Sequence, residues 1–429
     1  MHKFFNLNNG VTLITVPVAG TRATTVLAMF PVGSRYESKK LSGASHFLEH
    51  MLFKGTSKRP EAIDISRELE AAGAEYNAFT NKDYTGYYVK IAATKQELAF
   101  DTIADMIYNS KIEPAEVEKE KGAIVEELRM YKDNPTMAVD MLFDSVIFGD
   151  TPLGWDIGGT PDSVRAITRA ELWGYYQEHY SPKNMVLSVA GKIDAKLKKY
   201  LNNFLAKPAL AGAHTTEYYK KNFSKMVWPR KAPALEKRVA VEERKADQAH
   251  LILGFPGLPN TSPERYAVAL LLNILGGGMS SRLFIEVREK RGLAYMVQAG
   301  SSTFRDVGVA YVQAGLDPAR LKEALQVIKG ELLRIAAEPV TAEELKNAKS
   351  CISGAMALSL ENSRVQAEWF AKQFLFNAKI ETPEQVIKKM MEVTTTDVLR
   401  VAKKIFVPEA MRVALIGQIN KNKVLSYLT

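Results

Sequence analysis

The chain has 429 residues, room for roughly two to four domains. Its 46% apolar and 24% charged residues exclude wholesale disorder, a collagen-like repeat and a coiled-coil rod. The single cysteine, Cys351, excludes an intrachain disulfide and a cysteine-rich zinc site, and the net charge of +9 is spread among acidic residues with no Lys/Arg block and no nucleic-acid motif.

In chain order, Leu7 to Val18 is predicted as a hairpin turning at Asn9-Gly10, and Thr24 to Pro31 as a further strand. Ser42 to Leu52 and Glu61 to Ala72 read as helices and Tyr84 to Ala92 as a strand rich in aromatic and β-branched residues. Glu97 to Tyr108 and Pro114 to Met130 read as helices, the second opened by Pro114-Ala115-Glu116. No run reaches about 18 apolar residues, and Asn6, Asn8 and Asn9 interrupt the place a signal peptide would occupy. The expectation is a cytoplasmic protein with no membrane and no nucleic-acid partner. The pattern lapses between Lys207 and Ala234, where Pro208, Gly212, Pro229 and Pro233 fall. The boundary is set there, giving domains 1–215 and 235–429.

The second half repeats the first. An ungapped offset of 228 lays Glu116 on Glu344, Val117 on Leu345 and Lys121 on Lys349, and each segment follows an amphipathic helix, Glu97–Tyr108 or Ala319–Ile335. Upstream, Gly73-Ala74-Glu75-Tyr76 resembles Gly292-Leu293-Ala294-Tyr295. Several matches in one order point to two copies of one α+β fold.

His46-Phe47-Leu48-Glu49-His50 falls inside a predicted helix. Residues at i, i+3 and i+4 share a face, so both imidazoles and the carboxylate point one way. Two neutral imidazoles four apart can grip one zinc ion, and a carboxylate between them can take a proton from water. The order inverts the more common His-Glu-x-x-His. Phe47, Leu48, Met51 and Leu52 make the other faces apolar, which predicts a buried helix whose ionisable groups need a purpose. A catalytic zinc needs a third protein ligand. His2, His179, His214 and His250 lie in no motif, so carboxylates of Pro114–Met130 are the candidates. Glu116 and Glu118 suit the helix dipole at its start. Spacing leaves Glu120, Glu126 and Glu127 unresolved.

Gly43-Ala44-Ser45-His46-Phe47-Leu48-Glu49-His50-Met51-Leu52-Phe53-Lys54-Gly55-Thr56 resembles the signature of the pitrilysin/insulinase family of inverted-motif zinc peptidases. The resemblance runs from Asn9-Gly10 to beyond Trp369 and is weakest around 205–240. It is closest to the short, processing-peptidase-like branch. It implies an α+β chain of two homologous domains, each a mainly antiparallel sheet with helices packed on one face. It implies that Glu127 is the third zinc ligand, that Glu120 is a supporting carboxylate, and that Glu49 is the general base. It places Arg288 and Tyr295 in the active site from the second domain, and it likens Gly73 to Thr80 to a substrate-binding edge strand with Asn77 and Ala78 at the matching positions. The loop Gly276 to Phe284 resembles the family's chamber-lining glycine loop; it has no phosphate-loop pattern. The 228 offset puts Ile274, Gly277, Gly278 and Ala355 where His46, Glu49, His50 and Glu127 would fall, so one zinc per chain is expected. Family chambers resemble a clamshell of four such domains, which implies a homodimer or a pairing with a related subunit. The expected activity is endopeptidase or oligopeptidase hydrolysis of unstructured peptides. A catalytically silent structural subunit is the alternative.

Overall fold

The computed structural model describes residues 2–205, 207, 214–377 and 379–428. Residues 208–213, inside the expected inter-domain stretch, and the end positions 1 and 429 of the expected domains lie outside the described residues. The chain divides into two compact units. The first holds Met1–Arg129, Asp156–Ser224 and Ser359–Ile380, and the second holds Met130–Trp155, Lys225–Leu358 and Glu381–Thr429.

The first unit carries strands β1 (Lys3–Asn6), β2 (Thr12–Pro17), β3 (Ala23–Phe30), β4 (Glu75–Thr80), β5 (Thr85–Ala92) and β6 (Val186–Gly191) in the order β1-β2-β6-β3-β5-β4. Every pairing is antiparallel except β2 with β6. The second unit carries β7 (Val239–Glu243), β8 (Ala249–Gly257), β9 (Ala294–Thr303), β10 (Gly308–Leu316) and β11 (Arg412–Gly417) in the order β7-β11-β8-β10-β9. Here only β7 with β11 is parallel. Strand for strand the two sheets match, with β1 added outside the first. This is the two-domain, mainly antiparallel α+β fold.

Strand periodicity decides what covers each face. In β3, Val26, Ala28 and Phe30 point into a core built with α1 (Ala44–Met51), α2 (Ala62–Ala71), α3 (Gln96–Asn109) and α4 (Pro114–Asp133). Leu27 and Met29 point the other way, against Ala367, Phe370, Ala371 and Leu375 of the helix Ser363–Phe376. That helix is anchored to β3 by a 2.8 Å hydrogen bond between the buried hydroxyls of Thr25 and Ser363. In the second unit Leu251, Leu253 and Phe255 of β8 face the helices Arg265–Gly276, Leu321–Ala337 and Thr395–Ile405. Ile252 faces Ala138, Val139, Phe143 and Ile147 of α5 (Pro135–Phe148). So each sheet has several helices on one face and one on the other. The lone helix comes in each case from the chain segment on the far side of the repeat. The glycine at 254 makes room for it, since a Cβ there would stand 2.3 Å from the Phe143 ring.

The ungapped offset does not hold along the whole repeat. The helix α4 begins at 114 and its counterpart at 342, but β4 begins at 75 and its counterpart β9 at 294. Loops of unequal length between the elements shift the register. The topological counterpart of α1 is therefore the helix Arg265–Gly276, which contains Ile274 but ends before Gly277 and Gly278. No residue of that helix is His, Cys, Asp or Glu.

Candidate functional site

The helix α1 starts on Gly43, whose φ of +99° only glycine adopts readily, and whose missing Cβ leaves room for the Gly158 carbonyl oxygen at 2.5 Å. Its first amides are held from inside. The buried Glu37 carboxylate accepts from the Gly43 and Ser45 N–H groups, both at 2.7 Å. Burial pushes Glu37 up to about 7 despite those two bonds. Ser45 is also within 2.9 Å of the Tyr175 hydroxyl. Ala44, Phe47, Leu48 and Met51 face the core, which turns His46, Glu49 and His50 to the half-buried side.

On that side the imidazoles meet Glu127 of α4. His46 Nε2 and His50 Nε2 are 3.3 Å apart, and Glu127 Oε2 is 3.6 Å from the first and 3.2 Å from the second. Ligands about 2.1 Å from a tetrahedral ion stand about 3.4 Å from one another, so this trio fits one zinc. Among the described residues no other three or more His, Cys, Asp or Glu side chains gather their ligand atoms this closely. Glu126 points outward and accepts from Arg129 at 2.5 Å. The structure thus brings Glu127, and not Glu126, to the histidines. Glu120, two turns earlier on α4, lies nearly buried with Oε1 2.8 Å from His50 Nδ1 and Oε2 2.6 Å from Lys54 Nζ. A carboxylate on Nδ1 fixes the ring and leaves Nε2 for a metal.

Burial and the neighbouring charges pull the two histidines in opposite directions. Burial, with the His50 ring beside it, pushes His46 down to about 4 against the pull of Glu127. Burial would lower His50 too, but hydrogen bonds to Glu120 and Glu127 outweigh it and hold that imidazole up to about 9. Burial opposes ionisation of Glu120, yet His50 and Lys54 keep its carboxyl below the usual range. Glu49 is raised, chiefly by burial, and its Oε2 accepts from the Thr80 hydroxyl at 2.6 Å.

The remaining expected residues fall elsewhere. Asn77 and Ala78 lie on β4, at the edge of the first sheet, where the Asn77 carboxamide oxygen accepts from the Ala78 N–H at 2.8 Å. Arg288 and Tyr295 belong to the second unit. The Arg288 guanidinium sits 4.7 Å from the centroids of both the Phe284 and Tyr295 rings and donates to the Tyr295 carbonyl at 2.8 Å. Tyr295 is 74% exposed, which removes a core role for it. Sequence reasoning missed Thr80, Lys54, Glu37 and Asp156. Lys54 was findable, four residues after His50; Thr80 was findable as sharing a strand face with Ala78. The Asp156 carboxylate, raised by burial and close enough to Glu127 to feel its charge, arrives from a distant loop and left no local signal.

A family model described as insulinase (peptidase family M16) matches residues 14–160, and one described as the M16 inactive domain matches residues 166–351. An uncharacterised zinc protease of Streptomyces coelicolor is 38% identical over 92% of this chain and 85% of its own length. One of Bacillus subtilis is 32% identical over 95% of this chain and 96% of its own. A protease from Helicobacter pylori has the same fold, with a TM-score of 0.88 at 23% identity over 97% of this chain and 99% of that one. Among the described residues no helix is long and apolar enough to cross a membrane.

Proposed function

This chain belongs to the insulinase family of M16 peptidases, and on that premise we propose that it is a zinc endopeptidase or oligopeptidase acting on unstructured peptides, with one zinc per chain. The observation that carries the reading is the convergence of His46, His50 and Glu127 at spacings of 3.2 to 3.6 Å, with Glu49 on the same helix face. These three residues would hold the metal; zinc bound there supplies a Lewis acid for the scissile carbonyl and acidifies water. Glu49, one helical position from a ligand, takes a proton from the attacking water and delivers it to the leaving amine nitrogen. Its raised pKa suits a group that must both accept and return a proton. Glu120 orients His50. Arg288 anchors a substrate carbonyl, and Tyr295 donates its exposed hydroxyl to the developing oxyanion. The substrate lies extended along β4 at Asn77 and Ala78, joined by backbone hydrogen bonds that ignore sequence and therefore favour unfolded chains. One chain carries both the metal set and the Arg/Tyr pair, so a homodimer, or pairing with a related subunit, supplies a complete chamber. The proposed location is the cytoplasm.

The test is cleavage of a mixture of unstructured peptides by zinc-loaded wild type beside Glu49→Gln prepared identically. The expected result is full zinc content in both and a rate at least a hundredfold lower in the variant. Equal cleavage by both would sink the reading; zinc bound but no cleavage by either would favour a silent structural subunit.

A further inference from the structure

The general base is tied to the strand on which the substrate is expected to lie. Thr80 is the last residue of β4, paired with Thr85 across the sheet edge. Its hydroxyl donates to Glu49 Oε2 at 2.6 Å, the length of a charge-assisted O–H···O⁻ bond. The next nearest acceptor of that hydroxyl, the Ser45 carbonyl, is 3.5 Å away, so the proton belongs to Glu49. A threonine is stiff at χ1, and its backbone is fixed in the sheet, so the donor is aimed before any substrate arrives. Glu49 by contrast has a longer side chain with more rotatable bonds to fix, and no other hydrogen-bond partner among the described residues. One oxygen is pinned and the other, Oε1, remains available for proton transfer.

We infer that Thr80 is a positioning residue of the hydrolysis: it fixes the Glu49 carboxylate against the strand that carries Asn77 and Ala78, so that a peptide added along β4 is registered against the base. The inference rests on the reading of Glu49 as general base. It also links two features that otherwise stand apart, an edge strand and a helix motif, through one hydroxyl.

Thr80→Val keeps the shape and removes the donor; Thr80→Ser restores it. With zinc content equal to wild type, Thr80→Val should lower kcat on unstructured peptides at least tenfold and leave KM within about twofold, since a misplaced group costs rate and not affinity. Thr80→Ser should recover kcat to within about threefold. Should Thr80→Val not fold, Thr80→Ala removes the same hydroxyl and carries the same expectation. A kcat within twofold of wild type in the donor-free variant overturns the inference, and so does equal loss in Val and Ser, which would mean strand packing alone. Glu49→Gln in the same assay separates the two readings: if it is as active as wild type, the base assignment has failed; if it is inactive while Thr80→Val is normal, only the role of Thr80 has.

Discussion

Glu120→Gln tests the zinc site through a residue that touches no metal. The carboxylate lies 2.8 Å from His50 Nδ1 and 2.6 Å from Lys54. Replacing it removes the group that orients the ring and leaves the Lys54 cation beside the site. Losses of this kind weaken metal affinity by about 10- to 100-fold, or about 1.4 to 2.7 kcal/mol. A second effect opposes the first. Ligation needs a neutral imidazole, and in the metal-free protein His50 is held up to about 9. Wild type at pH 7 therefore forfeits about a hundredfold in apparent affinity to proton competition, and almost none at pH 9. Glu120 is one of two carboxylates raising His50, and its removal should lower that pKa by about one unit or more. The variant regains about tenfold at pH 7 and nothing at pH 9. The deficit should thus be small, at most about tenfold, at pH 7 and grow to about 10- to 100-fold at pH 9. Competition with a chromophoric chelator at several pH values measures it. A ratio of affinities that is the same at pH 7 and pH 9, or no loss at pH 9, would refute the reasoning.

Three further outcomes follow from the same geometry. Glu37 is raised from 4.5 to about 7 by burial, so the stability it contributes is present below pH 4.5 and lost as pH rises through 7; urea titrations of zinc-free protein should show wild type losing about 3 kcal/mol relative to Glu37→Gln over that window, and parallel curves would contradict it. Gly43→Ala forces a side chain into φ +99° and against the Gly158 carbonyl, which should cost about 2 kcal/mol or more and lower the unfolding midpoint by about 5 °C in calorimetry; an unchanged midpoint would show that the turn relaxes freely. Arg288→Lys keeps the charge but not the flat guanidinium that stacks between Phe284 and Tyr295, so kcat/KM should fall about tenfold with zinc content unaltered; wild-type kinetics would mean that only the charge matters.

The parts of the site that were readable from the sequence are those set by local geometry. His46, Glu49 and His50 lie within one and a half turns of a single helix, so a 3.6-residue period suffices to put them on one face. Glu120 and Glu127 share a face for the same reason. The choice between Glu126 and Glu127 was not local: both flank the apolar side, and it is the placement of α4 against α1 that turns one to the histidines and the other to Arg129. Asp156 was invisible because the charges it feels, Glu127 and Lys82, lie in distant segments joined only by the fold, and Glu37, though only six and eight residues from Gly43 and Ser45, belongs to no motif that announces its turn back onto the helix start. The duplicated fold was readable from repeated motifs, but its register was not, since loops of unequal length break any single offset. Nor does an amphipathic pattern name the sheet it will cover. Both α5 and the helix Ser363–Phe376 are apolar enough to be buried, and each packs on the sheet of the unit to which the flanking helices do not belong.

The two copies also show what a metal site demands of a fold. The helix α1 can expose two imidazoles and a carboxylate to a half-buried wall because that wall answers each of them: Glu120 and Glu127 for His50, Glu127 for His46, Thr80 for Glu49, with Lys54 balancing Glu120. Unanswered, such groups would be pushed to neutrality or would unfold the helix. The counterpart helix Arg265–Gly276 meets no such set. Ala267, Leu270 and Leu271 are buried in the core of the second unit, and the carboxylate of Glu344, at the start of the helix Ala342–Ser359 that corresponds to α4, is engaged by Arg282 at 2.7 Å. Ligands and the groups around them go together energetically, since either set alone would leave buried charge without a partner. The second unit therefore keeps the strand order without a metal set, and its exposed Tyr295, against which Arg288 of the preceding helical turn stacks, lies on the edge strand β9, the counterpart of the strand that carries Asn77, Ala78 and Thr80.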